Sequence, residues 1–195
     1  MGKQFGSALD IPILAADPAS PAAGFVSLYS KGGQLWQKDS AGLATPILPG
    51  ACHSWRNKTA DQTLVTGVFD MVGFNNFVSG SLITYTAPYF TLPFPGKYLV
   101  EVTLQYEGAA TPGTRRDMRL QQGGTPGVLN TGTSMNYVRN TPTASTHLLN
   151  MVTIVRTAIA NDTIQIEAFH NASTNIALTT AVSHYNHCFI TYLGP

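Results

Sequence analysis

The sequence predicts an all-β chain, and three observations carry that prediction. Tyr98, Val100, Val102, Leu104 and Tyr106 alternate with Lys97, Glu101, Thr103, Gln105 and Glu107 after the turn Pro95-Gly96, which is the period-two pattern of a half-buried strand. The other apolar runs are short and lie between clusters of Gly, Pro, Asn, Asp or Ser. No segment has sustained helical periodicity with a cap and a stop. At roughly 3.3 Å per residue the strand ending at Tyr106 runs for about 33 Å, which places it in the middle of a sheet.

The 195 residues leave room for one sizeable domain and a small one, and a hydrophobic content of 44% fills a real core. Charged residues make up 11%, under half of the roughly 25% usual in soluble domains. Thr, Ser, Asn, Gln and Gly must therefore supply most of the polar surface, and such a surface suits subunit packing. A formal net charge of +1 gives no field to attract nucleic acid or anionic lipid, so neither partner is predicted. No run reads as a membrane span, and the apolar stretch from Ala8 to Ala16 is interrupted by Asp10 and Pro12, against a signal peptide. Gly6 defeats a myristoylation motif at Met1-Gly2. Without a secretory route, the acceptor-like triplets at Asn57, Asn161 and Asn171 are chance in a Thr-rich chain. Synthesis in a cytosol is expected, and a reducing compartment favours free thiols at Cys52 and Cys188.

Taken in order, residues 1–23 contain Pro12, Pro18 and Pro21 among small residues, which predicts an extended arm able to wrap a neighbour. Residues 24–49 predict a three-stranded meander: Phe25 to Ser30 and Gln34 to Lys38 joined through Lys31-Gly32-Gly33, then Leu43 to Leu48 after a turn. So small a sheet cannot bury enough apolar surface alone and should dock on a partner or on copies of itself, through Phe25, Leu28, Leu35 and Trp36. Pro49-Gly50 marks the boundary to a domain over 50–195 with Trp55 as its first large anchor. Its candidate strands are 62–69, 81–85, 98–106, 117–121, 147–157, 163–170, 177–182 and 186–193. About eight strands, several of them long, suit a double-sheet jelly roll. The connection Gln122 to Ser145 shows no periodicity and is predicted to be a long loop of the kind that makes contacts.

Two stretches resemble known families. Pro21-Ala22-Ala23-Gly24-Phe25-Val26-Ser27-Leu28-Tyr29-Ser30-Lys31, with Leu35-Trp36-Gln37-Lys38-Asp39-Ser40-Ala41-Gly42, resembles a segment near the starts of bacteriophage tail-fibre and minor tail proteins. That resemblance implies a module that attaches or trimerises the protein in a virion. Residues 52–195 resemble the trimeric jelly roll shared by complement-type and tumour-necrosis-factor-like proteins. The likeness lies in Ile83 to Tyr98, in Ala160-Asn161-Asp162-Thr163-Ile164-Gln165-Ile166 and in the closing Phe189-Ile190-Thr191-Tyr192-Leu193. Asn161 stands where that family has glycine, and no collagen-like repeat precedes the domain. The resemblance implies a homotrimer, for which Tyr85, Phe169 and Tyr192 are the expected axial aromatics. It also implies pairing of the first and last strands, bringing Cys52 near Cys188, with a bond between them left open.

Reactive chemistry is thin. His184, His187 and Cys188 hold good metal ligands at poor spacing, since 187 and 188 face opposite sides of a strand; no metal and no cofactor is predicted. Three-fold symmetry could still gather His170 or His187 round an axis. Glu101 and Glu107 on one strand face would be about 20 Å apart, too far for a glycosidase pair. No Gly-x-Ser-x-Gly turn presents a nucleophile, so no enzyme is predicted. Arg115 and Arg116 beside Asp117, with Asn136, Tyr137 and Arg139 in the long connection, are the candidate ligand-reading residues, through stacking and charge-assisted hydrogen bonds to a glycan or protein surface.

The expectation is a non-enzymatic, homotrimeric virion protein made in the host cytoplasm. Its role is that of a tail fibre or receptor-binding tip, with a decoration or cement protein bound to other virion proteins as the alternative and a cell-wall hydrolase as a weaker one.

Overall fold

The computed structural model describes residues 11–31, 34–47, 52–106, 114–141, 147–180 and 186–195. The chain divides into two compact units, Met1–Ala51 and Cys52–Pro195. Among the described residues there are strands and turns and no helix.

In the first unit, β1 (Ser27–Lys31), β2 (Gln34–Lys38) and β3 (Ala44–Pro46) form an antiparallel meander. The register sets Tyr29 opposite Trp36 and Trp36 opposite Pro46, and all three are buried. The described part of the expected arm, from Pro12 to Pro18, runs along its own sheet; residues 1–10 lie outside the described part. Ser30 N–H donates to Pro12 O at 2.8 Å and Leu14 N–H to Ser30 O at 2.7 Å, extending β1 by a parallel bridge at Ile13. Tyr29 Oη donates to Asp17 at 2.9 Å, Lys38 Nζ donates to Pro18 O at 2.7 Å, and Lys31 forms an ion pair with Asp17. Burial and the Asp17 carboxylate push the Tyr29 phenol up to about 12. Proline removes donors but keeps carbonyls, so a proline-rich arm can still serve as acceptor to an edge strand.

The second unit carries β4 (His53–Asn57), β5 (Gln62–Leu64), β6 (Phe69–Met71), β7 (Asn76–Ser81), β8 (Thr84–Thr86), β9 (Tyr89–Leu92), β10 (Gly96–Tyr106), β11 (Arg116–Gln122), β12 (Thr133–Asn140), β13 (His147–Thr157), β14 (Asp162–His170), β15 (Ile176–Leu178) and β16 (His187–Gly194). They make two sheets. One is ordered β5-β15-β10-β16-β4-β7, with β13 also on β10; the other is ordered β12-β11-β14-β9-β8, with β6 also on β14. This is a jelly-roll sandwich.

The long central strand stands where its alternation placed it. β10 pairs with β13 along its whole length and with β16 from Lys97 to Thr103 on its other side. Tyr98, Val100, Val102, Leu104 and Tyr106 are all fully buried. They meet Met118, Leu120, Ile164, Ile166, Phe90 and Leu92 of the facing sheet in one core. Gly96 opens the strand at φ +137°, where a Cβ would lie 2.5 Å from Gly194 O and 2.7 Å from the Tyr192 ring, so the last strand can close over it only because no side chain is there.

Several expected elements differ. The run 62–69 is split, because Gly67 turns the chain at φ +79° and Val65 N–H donates to Asp70 Oδ2 at 2.7 Å. Leu82 at φ +69° ends β7 and displaces the strand expected over 81–85. The strand expected over 177–182 is β15, ending at Leu178; residues 181–182 lie outside the described part. The connection 122–145 is not a loop throughout, since Thr133–Asn140 pairs with β11 as the edge of its sheet. An edge strand exposed on both faces has no reason to alternate in hydrophobicity, which is why no period marked it.

Candidate functional site

The two sheets of the second unit turn outer faces of opposite character to the surface. On the larger sheet, register lines up Val152, Glu101, Phe189 and Trp55 in one row and Ile154, Leu99, Thr191 and His53 in the next. Val152 is 62% exposed, Ile154 52% and Trp55 43%. Contiguous apolar surface of this kind marks an interaction site more often than scattered single residues do. Trp55, Glu101, His187 and Phe189 line a shallow cavity of about 270 Å³ within it, where His187 Nε2 lies 3.8 Å from Glu101 Oε1.

On the smaller sheet the rows are Arg139, Asp117, Phe169 and Phe69, then Tyr137, Arg119, Glu167 and Met71. Asp117 and Glu167 are fully buried although they point away from the core. Arginines cover them. Asp117 accepts from Arg115, from Tyr137 Oη and from Arg139 Nε, the last at 3.2 Å. Tyr137 Oη in turn accepts from Arg115 Nη2 at 2.9 Å and Arg139 Nη2 at 2.7 Å. Glu167 accepts from Arg119 Nε at 2.5 Å and from Gln165 Nε2 at 2.9 Å. Arg115 and Arg119 also stack over Phe169 and Phe69, 4.5 Å and 3.6 Å from the ring centroids. Hydrogen bonding to Asp117 raises the Arg115 guanidinium above its usual value. The result is a hydrogen-bonded polar plate with one half-exposed arginine, Arg139, at its rim.

The structure thus brings Arg115, Tyr137 and Arg139 together around Asp117 and separates the other two candidates from them. Arg116 is fully buried on the opposite side, with Nη1 donating to Thr114 O at 2.9 Å, and burial lowers its guanidinium. Strand alternation makes neighbours in sequence face opposite ways, so it is no ligand reader. Asn136 stands opposite Leu120 rather than in the Tyr137 row, and its Oδ1 accepts the Tyr137 N–H at 2.8 Å. Arg119 and Phe69 escaped the sequence reading, and Glu167 stood in it only as one of the carboxylates from which a glycosidase pair would come; the alternation Asp117, Arg119, Gln121 between Met118 and Leu120 was the signal that could have found Arg119.

Of the expected axial aromatics, Tyr192 is the one that its burial within a single chain corrects. Tyr192 is 1% exposed within one chain, packed on Phe94 and Tyr98, and has no surface to give a neighbour. Tyr85 packs on Phe90, lies beneath Arg56 and accepts the Phe74 N–H at 2.8 Å. Phe169 belongs to the polar plate. In the first unit, Trp36 is buried and its Nε1 donates to Lys31 O at 3.2 Å, while Leu35 is half-buried. Phe25, at 69% exposed, and Leu28, at 41%, remain at the surface.

His184 lies outside the described residues, and Cys188 faces the core opposite Arg56. His170 is buried with Nε2 3.0 Å from Leu64 O, away from any surface that symmetry could share. Among the described residues no three His, Cys, Asp or Glu side chains are grouped to hold a metal.

No protein-family model and no curated protein matches the sequence. Solved structures do match in shape. The chain is similar to the Eiger TNF of S. frugiperda, with a TM-score of 0.55, 10% identity, and coverage of 73% of this chain and 92% of that one. It is also similar to murine APRIL, with a TM-score of 0.46, 11% identity, and coverage of 72% and 99%. At such identities the likeness is one of fold, and the first match carries it. The second unit is a TNF-like jelly roll.

Proposed function

We propose that this chain is a non-enzymatic virion protein that acts as a homotrimer, as a tail fibre or receptor-binding tip that recognises the host surface. The observation that carries the assembly is the outer face of the larger sheet, where Val152, Ile154, Leu99, Phe189 and Trp55 form an apolar surface with few charges. Obligate interfaces resemble a core cut in half, and this face has that composition while the opposite one does not. With the apolar faces turned inward, the Arg115, Tyr137 and Arg139 plate points outward, where planar guanidinium and phenol groups can meet a glycan or a protein. The virion setting is supported by the resemblance of residues 21–42 to tail-protein starts.

Light scattering at micromolar concentration tests the assembly: the expected mass is three times 20.8 kDa, and a clean monomer would overturn it. Labelled protein added to host cells tests recognition. Cell coating that weakens on Arg139→Ala is expected for a receptor-binding tip. No coating, together with a tagged copy located on the capsid or tail shaft, would instead favour a decoration protein, a reading to which the exposed Ile13, Phe25 and Val26 of the first unit lend support.

A further inference from the structure

A cavity of about 280 Å³ opens in the second unit beside Lys58, with walls that include Ala60, Phe74, Tyr85 and Ala87. Lys58 is 4% exposed, an unusual place for an amine whose flexible stem normally carries it to water. Its Nζ is fixed by two acceptors, Gln62 Oε1 at 2.9 Å and Gly73 O at 2.6 Å. Gln62 is itself held in place, since its Nε2 donates to Met71 O at 2.6 Å and its Oε1 also accepts the Gly73 N–H at 3.1 Å.

The two carbonyl oxygens occupy two of the three positions on Nζ, and Lys58 is among the residues that line the cavity. In the neutral –NH2 form the third position is a lone pair, the group that attacks an electrophile. We infer that Lys58 is a nucleophilic amine site that takes a small aldehyde with an apolar or aromatic body into the cavity and holds it as an imine. In the step, the nitrogen lone pair forms a bond to the carbonyl carbon and the π pair moves to the oxygen, which gains the proton that nitrogen loses. The carbinolamine then gives up its second N–H proton with its hydroxyl group as water, leaving a C=N bond, and the two N–H bonds to Gln62 Oε1 and Gly73 O are lost in the process. No oxidant or reductant is required, and the adduct is reversible by hydrolysis.

Burial supports this reading by pulling the Lys58 ammonium down to about 8. The charged and titratable groups that face it are Asp61, which favours the ammonium and is itself held by Thr180 N–H and Oγ1, each at 2.6 Å, and Tyr85, over which Arg56 lies at 4.5 Å. At pH 7.5 about a quarter of such an amine is neutral, against about 0.1% of an ordinary lysine. Lower basicity costs about tenfold in intrinsic nucleophilicity by the slope known for thiols, so a net preference of about tenfold remains.

The test uses the full chain, benzaldehyde as the electrophile and cyanoborohydride to reduce and trap the imine, followed by peptide mapping of all lysines. Lys58 should be labelled about tenfold faster than Lys31, Lys38 or Lys97 at pH 7.5, with a ratio that shrinks above about pH 8 as the others begin to lose their protons. Equal labelling of all lysines, a Lys58 that reacts slowest, or a Lys58 rate that climbs in parallel with the rest would each overturn the assignment. Because the comparison is made within the native protein, it does not depend on a variant folding.

Discussion

Cys52 and Cys188 lie on neighbouring antiparallel segments but four positions out of register. The Cys52 carbonyl accepts the Tyr192 N–H at 2.9 Å, while Cys188 stands opposite Arg56. Four residues along a strand are about 13 Å, well beyond the roughly 7 Å limit for a disulfide. The pairing of first and last strands that the resemblance implied is present; the closeness of the thiols is not. Both cysteines are free and buried. Burial pushes the Cys52 thiol up to about 12, and burial followed by the Glu101 charge pushes Cys188 up as well. A thiol reagent such as DTNB at pH 8 should therefore react with neither cysteine in the native protein and with both after denaturation. Rapid native reaction at either one would contradict the burial.

Ile154 is half-exposed in the single chain, so Ile154→Lys should leave the protomer folded, within about 0.5 kcal/mol. It would set a charge in each copy of an apolar interface, where an unpaired ion costs several kcal/mol. The expected result is a folded monomer of 20.8 kDa by light scattering. A trimer that survives the substitution would place the interface elsewhere.

Asp117 holds the polar plate together, and Asp117→Ala leaves Arg115 and Arg139 without their shared acceptor. Removing one partner of a fully buried pair costs about 3–5 kcal/mol. Here the arginine side chains are 33% and 53% exposed and can return to water, so the expected loss is about 1–3 kcal/mol. Arg139→Ala should cost less than about 1 kcal/mol. Urea denaturation of the two variants should give that order, and an equal loss would mean that Asp117 is not what holds the plate together.

Lys58 gives a pH dependence of unusual sign. Its folded value, about 8, lies below that of the unfolded chain, so between the two the unfolded state binds more protons and stability rises with pH. Below about 8 both states are protonated and the burial penalty is felt in full. Relative to Lys58→Met, the wild-type protein should gain on the order of 1–3 kcal/mol from pH 7.5 to 10. A difference between the two that stays flat over this range would argue that the amine is not desolvated.

The sequence by itself determined the all-β class, the core face of β10 and the span of β13, because a strand's alternation and its flanking turns are written in consecutive residues. The resemblance set Asn161 where the family has glycine, and Asn161 takes φ +59°, a conformation that asparagine, like glycine, accepts more readily than most residues do. Only the tertiary structure decided which strands became neighbours. It set Cys188 opposite Arg56, gave β12 its place beside β11 and gathered Arg115, Asp117, Tyr137 and Arg139 into one plate. It turned Arg116 inward, filled the protomer core with Tyr192 and left Val152 and Ile154 uncovered. Those outcomes depend on register between segments far apart in the chain, where a shift of one residue exchanges every side chain between the two faces, and no local pattern encodes that choice.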